Sequence, residues 1–156
     1  MPNDCYNSLT IKGRHEDLKN FYEKYISQAD GVEDHFDFNS VFPIPIKILK
    51  DENSWLSEWC IKHWGTKWNS YDNQINFGYE NLNINFYTAW EPCLPIIKKL
   101  IEAHPEFMFE FYYEEHGCDI SGKVNGERGV ITLEEHGEYQ SDADEESWDD
   151  DEDADE

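Results

Sequence analysis

Hydrophobic and polar positions alternate strictly over two stretches in the middle of the chain. Ile75, Phe77 and Tyr79 alternate with Asn76 and Gly78, and Leu82, Ile84 and Phe86 alternate with Asn83, Asn85 and Tyr87. A period of two is that of a strand with one buried face, and Glu80-Asn81 between the stretches predicts a tight hairpin. An earlier strand is predicted over Cys5 to Lys12, with Leu9 and Ile11 on one face, Ser8 and Thr10 on the other, and Gly13 at its end. In a later one, Phe107, Phe109, Phe111 and Tyr113 alternate with Met108, Glu110 and Tyr112. A weaker pair, Asp119 to Val124 and Val130 to Glu134, with Asn125-Gly126 and Gly129 between, predicts a terminal hairpin.

Elsewhere the period is helical. Leu18, Phe21, Tyr22, Tyr25 and Ile26 recur at steps of three and four from His15 to about Ser27, and Asp30-Gly31 stops that helix. Pro95 to His104 carries Ile96, Ile97, Leu100 and Ile101 on one side, with Pro105 just past its end. A third helix is predicted over Asp51 to Trp64, where Trp55, Leu56, Trp59, Cys60 and His63 share helical spacing. Between the first and third helices, Phe36 to Pro45 contains two prolines; each removes a ladder donor, which predicts an extended connector rather than a central strand.

With an insertion set aside at about residues 30–72, the order is strand, helix, strand, strand, helix, strand. This is the split βαβ pattern of an α+β ferredoxin-like sandwich, with two helices over one face of an antiparallel sheet. The expected organisation is one domain over residues 1–138, with the helical insertion after its first helix and a C-terminal hairpin, then an acidic tail over 139–156. The face away from the helices carries Asn76, Asn83, Asn85, Tyr87, Glu110 and Tyr112, so it is either covered or a binding surface.

Charge changes the picture of the partner. The 156 residues hold 35 Asp and Glu against 12 Lys and Arg, a net charge of −23, and 11 of those carboxylates lie between Asp142 and Glu156 with no cation among them. Asp149-Asp150-Asp151-Glu152-Asp153 repels itself and has only Trp148 nearby to bury, which predicts disorder in the tail. Such a tail is either a solubilising extension or an anionic arm, with Trp148 and Asp149, Asp150 and Asp151 as its binding residues. Negative charge on this scale opposes contact with phosphate backbones and favours a basic protein. No apolar run approaches the ~20 residues of a bilayer crossing, and no secretory signal opens the chain; the expected setting is cytoplasmic, with reduced thiols.

Trp64-Gly65-Thr66-Lys67-Trp68 holds two indoles around a lysine, a set suited to stacking on a base or holding a small ligand, and equally suited to plugging the sheet. Trp90 is expected to cap the helix that follows it. Cys60-x-x-His63 and His116-x-Cys118 are four soft metal ligands in two close pairs, but their spacing matches no standard zinc module. No GxSxG elbow, P-loop or GxGxxG is present, and the six histidines follow no recognisable partner order, so neither enzyme activity nor a cofactor is expected.

Five segments in order resemble a known family. They are Met1-Pro2-Asn3 with Cys5-Tyr6-Asn7 and Leu9-Thr10; Phe36-Asp37-Phe38 to Pro43-Ile44-Pro45; Trp64-Gly65-Thr66-Lys67-Trp68-Asn69; Thr88-Ala89-Trp90-Glu91-Pro92; and Tyr113-Glu114-Glu115 before Gly117. Over residues 1–135 the chain resembles the phage- and plasmid-borne ferredoxin-like domain family, similar to YubB-type plasmid proteins, although Asp4 stands where a tryptophan is expected in the opening motif. The resemblance implies a ferredoxin-like fold, a bacterial or phage origin and a mobile-element accessory role, and it implies no catalytic residues. The expected function is a non-enzymatic acidic binding module that inhibits a host defence or nucleic-acid-binding protein by charge mimicry. The alternative is a ligand or single-stranded RNA module using the Trp64 to Trp68 segment and the open sheet face, against which stands a complement of just two arginines, Arg14 and Arg128.

Overall fold

A computed structural model describes residues 4–28, 33–50, 56–117 and 119–138. Six strands form one antiparallel sheet: β1 (Asp4–Lys12), β4 (Tyr71–Phe77), β5 (Asn81–Ala89), β6 (Met108–Glu115), β7 (Ile120–Glu127) and β8 (Val130–Glu138), in the order β4-β5-β1-β6-β7-β8. The first four of that order, with helices α1 (His15–Tyr25) and α5 (Leu94–Ala103), make the ferredoxin-like α+β sandwich that the order of elements predicts, and β7 and β8 extend the sheet as the C-terminal hairpin. The remaining elements belong to the insertion: a two-strand ribbon of β2 (Ile26–Ser27) and β3 (His35–Phe36), then α2 (Phe38–Val41), α3 (Ile46–Lys50) and α4 (Leu56–Trp64).

Strict alternation on β1, β5 and β6 sends Leu9, Ile11, Leu82, Ile84, Phe86, Phe109 and Phe111 to one face, where Leu18 and Phe21 of α1 and Ile96, Ile97, Leu100 and Ile101 of α5 meet them. Aromatic rings fill much of this core in edge-to-face pairs, such as Phe36 with Phe86 at 5.5 Å and Phe21 with Phe107 at 5.7 Å. The insertion is tied to β4 and to the segment leading into it by polar side chains. Phe36 N–H donates to Asn73 Oδ1 at 3.1 Å, Phe38 N–H to Asn69 Oδ1 at 2.9 Å, and the Ser70 hydroxyl to the Phe36 carbonyl at 2.5 Å.

Several expectations are corrected. The segment from Phe36 is not simply extended: Asp37 caps the short helix α2 by accepting from Asn39 N–H at 3.0 Å, and Pro43 and Pro45 fall between α2 and α3, where they cost no hydrogen bond. The first helix stops at Tyr25, because Ile26 and Ser27 leave it to pair with Phe36 and His35. The first hairpin turns at Tyr79-Glu80, closed by Gly78 N–H to the Asn81 carbonyl at 2.8 Å, and Asn81 already belongs to β5. Asn125-Gly126 is not a turn. It lies inside β7, where a Cβ on Gly126 would come within 2.5 Å of the Ile101 side chain; the chain reverses instead at Arg128-Gly129, both at positive φ. Trp90 does not cap α5, whose N-cap is Cys93. Residues 51–55 of the third predicted helix, including Trp55, and the stop at Asp30-Gly31 lie outside the described residues, as does the tail 139–156.

Candidate functional site

The second face of the sheet stays half-exposed along β1, β5 and β6. Register assembles its residues into rows across the strands. Thr10 stands between Asn83 and Glu110, Ser8 between Asn85 and Tyr112, and Tyr6 between Tyr87 and Glu114. Asn76 lies opposite Asn83 and Tyr71 opposite Tyr87, so this face gathers Asn76, Asn83, Asn85, Tyr87, Glu110 and Tyr112 as alternation predicts. Its middle is a hydrogen-bonded polar ladder: Asn85 Nδ2 donates to Asn83 Oδ1 at 2.9 Å, and Asn83 Nδ2 to the Thr10 hydroxyl at 3.0 Å. Beside the ladder lies a recess of about 330 Å³ lined by Ser8, Thr10, Glu110, Tyr112, Lys123 and Asn125.

At the end of the face where β1 begins and β6 finishes, the chemistry changes from amide to acid and aromatic. Tyr71, Tyr87 and Tyr6 form a row of rings, with centroids 6.1 Å and 5.7 Å apart in sequence. The Tyr71 hydroxyl donates to Asp4 Oδ1; burial and then that carboxylate hold its pKa above the usual tyrosine value, so it remains a donor. Glu114 accepts from the Tyr112 hydroxyl at 3.1 Å and pairs with His116 through its other oxygen. Asp4, Tyr6, Tyr87, Glu114, Glu115, His116 and Gly117 enclose a recess of about 450 Å³. Glu115 contributes from the buried side and accepts from Gly117 N–H at 2.7 Å, which anchors the β6–β7 turn. Carboxylates and tyrosine rings in one recess are the groups that receive a guanidinium or ammonium: the oxygens pair with its N–H donors and the ring faces attract its charge.

The other sequence-predicted residues fall elsewhere. Trp64 is buried, packed edge-on against Phe38 and Trp59, and donates from Nε1 to the Phe42 carbonyl at 2.9 Å, whereas Trp68 is 45% exposed. The two indoles therefore share no ligand surface. Gly65 between them has φ +85, and a Cβ there would meet the Pro92 carbonyl at 2.9 Å, so the segment is shaped by close packing against the start of α5. Thr66 donates to the Ala89 carbonyl at 2.9 Å and accepts from Ala89 N–H at 3.1 Å, while Lys67 lines a separate groove with Trp90. Cys60 is buried in α4 and His63 lies against the rings of Trp59 and Phe42. His116 sits on the β6–β7 turn; Cys118, Trp148, Asp149, Asp150 and Asp151 lie outside the described residues. Among the described residues, no three His, Cys, Asp or Glu side chains are placed to hold a metal ion, and no helix is long and apolar enough to cross a membrane.

Asp4, Tyr6, Tyr71 and Glu114 are site residues that sequence reasoning missed. Continuing the β1 alternation back from Ser8 and Thr10 reaches Tyr6 and Asp4, and continuing that of β6 from Glu110 and Tyr112 reaches Glu114. What no periodicity carries is the register that sets Tyr6 between Tyr87 and Glu114.

A four-strand antiparallel core with two helices on one face, extended by a hairpin and open on its other face, places the chain among ferredoxin-like α+β domains. Residues 64–155 match the family described as the ferredoxin-like domain in Api92-like protein; this is more than half of the chain, which belongs to that family. The crystal structure of a protein api92 from Yersinia pseudotuberculosis superposes with a TM-score of 0.71, covering 90% of this chain and 99% of that one, and at 10% identity the likeness is one of fold. No curated protein matches the sequence.

Proposed function

We propose that the protein is a non-enzymatic accessory protein of a phage or other mobile element that binds a basic, nucleic-acid-handling protein of the bacterial cytoplasm and occupies its phosphate-binding surface. The observation that carries this reading is the recess in which the Asp4 and Glu114 carboxylates meet the rings of Tyr6 and Tyr87. A protein that grips phosphate exposes arginines; those side chains fit a site offering carboxylate oxygens beside aromatic faces. The net charge of −23 adds long-range attraction for such a partner and speeds encounter. The mobile-element setting rests on the resemblance of the sequence to YubB-type plasmid proteins.

A sheet-face reader of single-stranded RNA is the weaker reading. Lys12 on that face is within 3.7 Å of a Glu110 oxygen, Lys123 stands opposite Glu135, and the buried Trp64 has no ring face to offer a base. Titrating the full chain with an arginine-rich peptide and, separately, with single-stranded RNA tests the choice. The proposal expects salt-sensitive peptide binding that Glu114→Gln weakens; RNA binding with no response to the peptide overturns it.

A further inference from the structure

The opposite end of the sheet, where β1 ends and β6 begins, carries a larger recess of about 700 Å³ that the proposed function leaves unused. Its charged walls are three cations, Lys12, Arg14 and Arg128, and three carboxylates, Glu80, Glu106 and Glu127. The chain has no other arginine. Pro105, Phe107 and Met108 form its apolar wall, with Met108 39% exposed.

Backbone contacts fix the frame. Gly13 N–H donates to the Glu80 carbonyl at 3.2 Å, and a Cβ on Gly13 would come within 2.5 Å of the Phe107 ring, so the turn that carries Arg14 is pressed onto the recess wall. In the strand register Lys12 pairs with Met108 and Met108 with Glu127, which sets the β1 and β7 backbones about two strand spacings, roughly 10 Å, apart. Arg14 and Arg128 line the cavity from opposite sides of that gap, which one tetrahedral oxyanion can bridge.

The fold makes little use of either arginine. Arg14 forms no ion pair among the described residues, and the pair of Arg128 is with adjacent Glu127, 3.9 Å from Nε, its own side chain 87% exposed. Arg128 also holds φ +58, a left-handed conformation that Gly or Asn adopts at less cost. Strain kept at a side chain with so little packing is characteristic of a position that serves a ligand. Of the remaining charges, Lys12 lies 3.7 Å from Glu110, and Glu106 is turned to His104 Nδ1 at 2.9 Å.

These groups select the ligand. A guanidinium fork pairs with the oxygens of a carboxylate or a phosphate. One fork fills a carboxylate, whereas the terminal oxygens of a phosphate monoester receive two forks and an ammonium together. Bare phosphate would face Glu80, Glu106 and Glu127 with no donor to offer them; an ester carrying hydroxyl or amino groups supplies those donors, and its carbon frame covers Met108 and Pro105. A cavity of this size admits such a molecule. The net charge of −23 opposes a long phosphate backbone, but a single phosphate needs only local cations.

We propose that this recess binds a small phosphate monoester, its phosphate between Arg14 and Arg128 beside Lys12 and its hydroxyl or amino donors on Glu80 and Glu127. The recess of Asp4, Tyr6, Tyr87 and Glu114 lies at the other end of β1 and takes no part, so the two sites are separable.

The test titrates the ¹⁵N-labelled full chain with inorganic phosphate, a hexose monophosphate and adenosine monophosphate, and repeats the titrations on Arg14→Gln and Arg128→Asn. Asparagine suits the turn, so the fold of Arg128→Asn is retained. The proposal expects an ester to shift the amides of Gly13, Asn81, Met108 and Arg128, to bind more tightly than inorganic phosphate, and to lose at least about 10-fold in affinity in each variant. It is overturned if neither ester shifts those amides at millimolar concentration, if inorganic phosphate binds as tightly as the esters, or if either variant binds like the parent. Shifts gathered at Tyr87 and Glu114 in place of the recess also overturn it.

Discussion

Tyr6 and Tyr87 stand directly opposite each other on β1 and β5, their ring centroids 5.7 Å apart and edge to face, on the half-exposed side of the sheet. An aromatic pair in this geometry couples by about 0.5–1.5 kcal/mol beyond the area it buries. A double-mutant cycle on Tyr6→Ala and Tyr87→Ala, followed by chemical denaturation, is expected to return a coupling in that range. Additive losses would mean that the rings are neighbours without mutual support.

Gly126 sits where a Cβ would come within 2.5 Å of Ile101 in the last turn of α5. Gly126→Ala therefore has to push α5 off the sheet or distort β7, at a cost of about 2 kcal/mol. The mutant is expected to melt well below the parent with its binding recess unchanged. Unaltered stability would show that α5 is not seated tightly on β7.

Arg128 occupies the first central position of the β7–β8 turn at φ +58, with its side chain almost fully exposed. Arg128→Asn or Arg128→Gly removes the left-handed penalty and is expected to stabilise by about 0.5–1 kcal/mol. The melting temperature reports it, and a fall would place the Arg128 side chain in an interaction stronger than its contact with Glu127.

Cys5, Cys60 and Cys93 are buried, and burial pushes the Cys5 thiol up to about 12 and raises Cys60 and Cys93 as well. A thiol that is neither ionised nor accessible does not react. In a Cys118→Ser chain, a thiol reagent is expected to label nothing until denaturant is added; rapid native labelling at any of the three would contradict this packing.

Glu134 receives hydrogen bonds from His136 and Lys98, which hold its carboxyl below the ordinary 4.5. A lowered folded value means that its contribution to stability is present above 4.5 and is lost as pH falls through the folded value. The coupling between Glu134→Gln and Lys98→Met is expected to be measurable near neutrality and to decline as the pH is taken below 4.5. A coupling independent of pH would assign the effect to packing of the lysine stem.

Much of the fold is legible in the sequence because its long strands bury one face only. On β5 and β6, phenylalanine and isoleucine at every second position leave one assignment of faces. Short elements escape: α2 depends on one capping side chain, Asp37, and on Asn69 reaching it from 32 residues away. Asn125-Gly126 imitates a turn because glycine serves both a reversal and a close approach, and which one applies is decided by Ile101. Trp64 and Trp68 look equivalent in sequence, yet one is core and the other surface. The acid–aromatic recess joins residues more than 100 positions apart, and only the strand register brings them together.

The most direct measurement of the central claim is the affinity of the full chain for an arginine-rich peptide, compared with Glu114→Gln and Tyr87→Ala at low and high salt. The account predicts that each substitution weakens binding about 5- to 30-fold, in keeping with about 1–2 kcal/mol for one charge pair or ring face, and that high salt weakens the parent most. Equal affinities for parent and variants, with the peptide still bound at high salt, would contradict it.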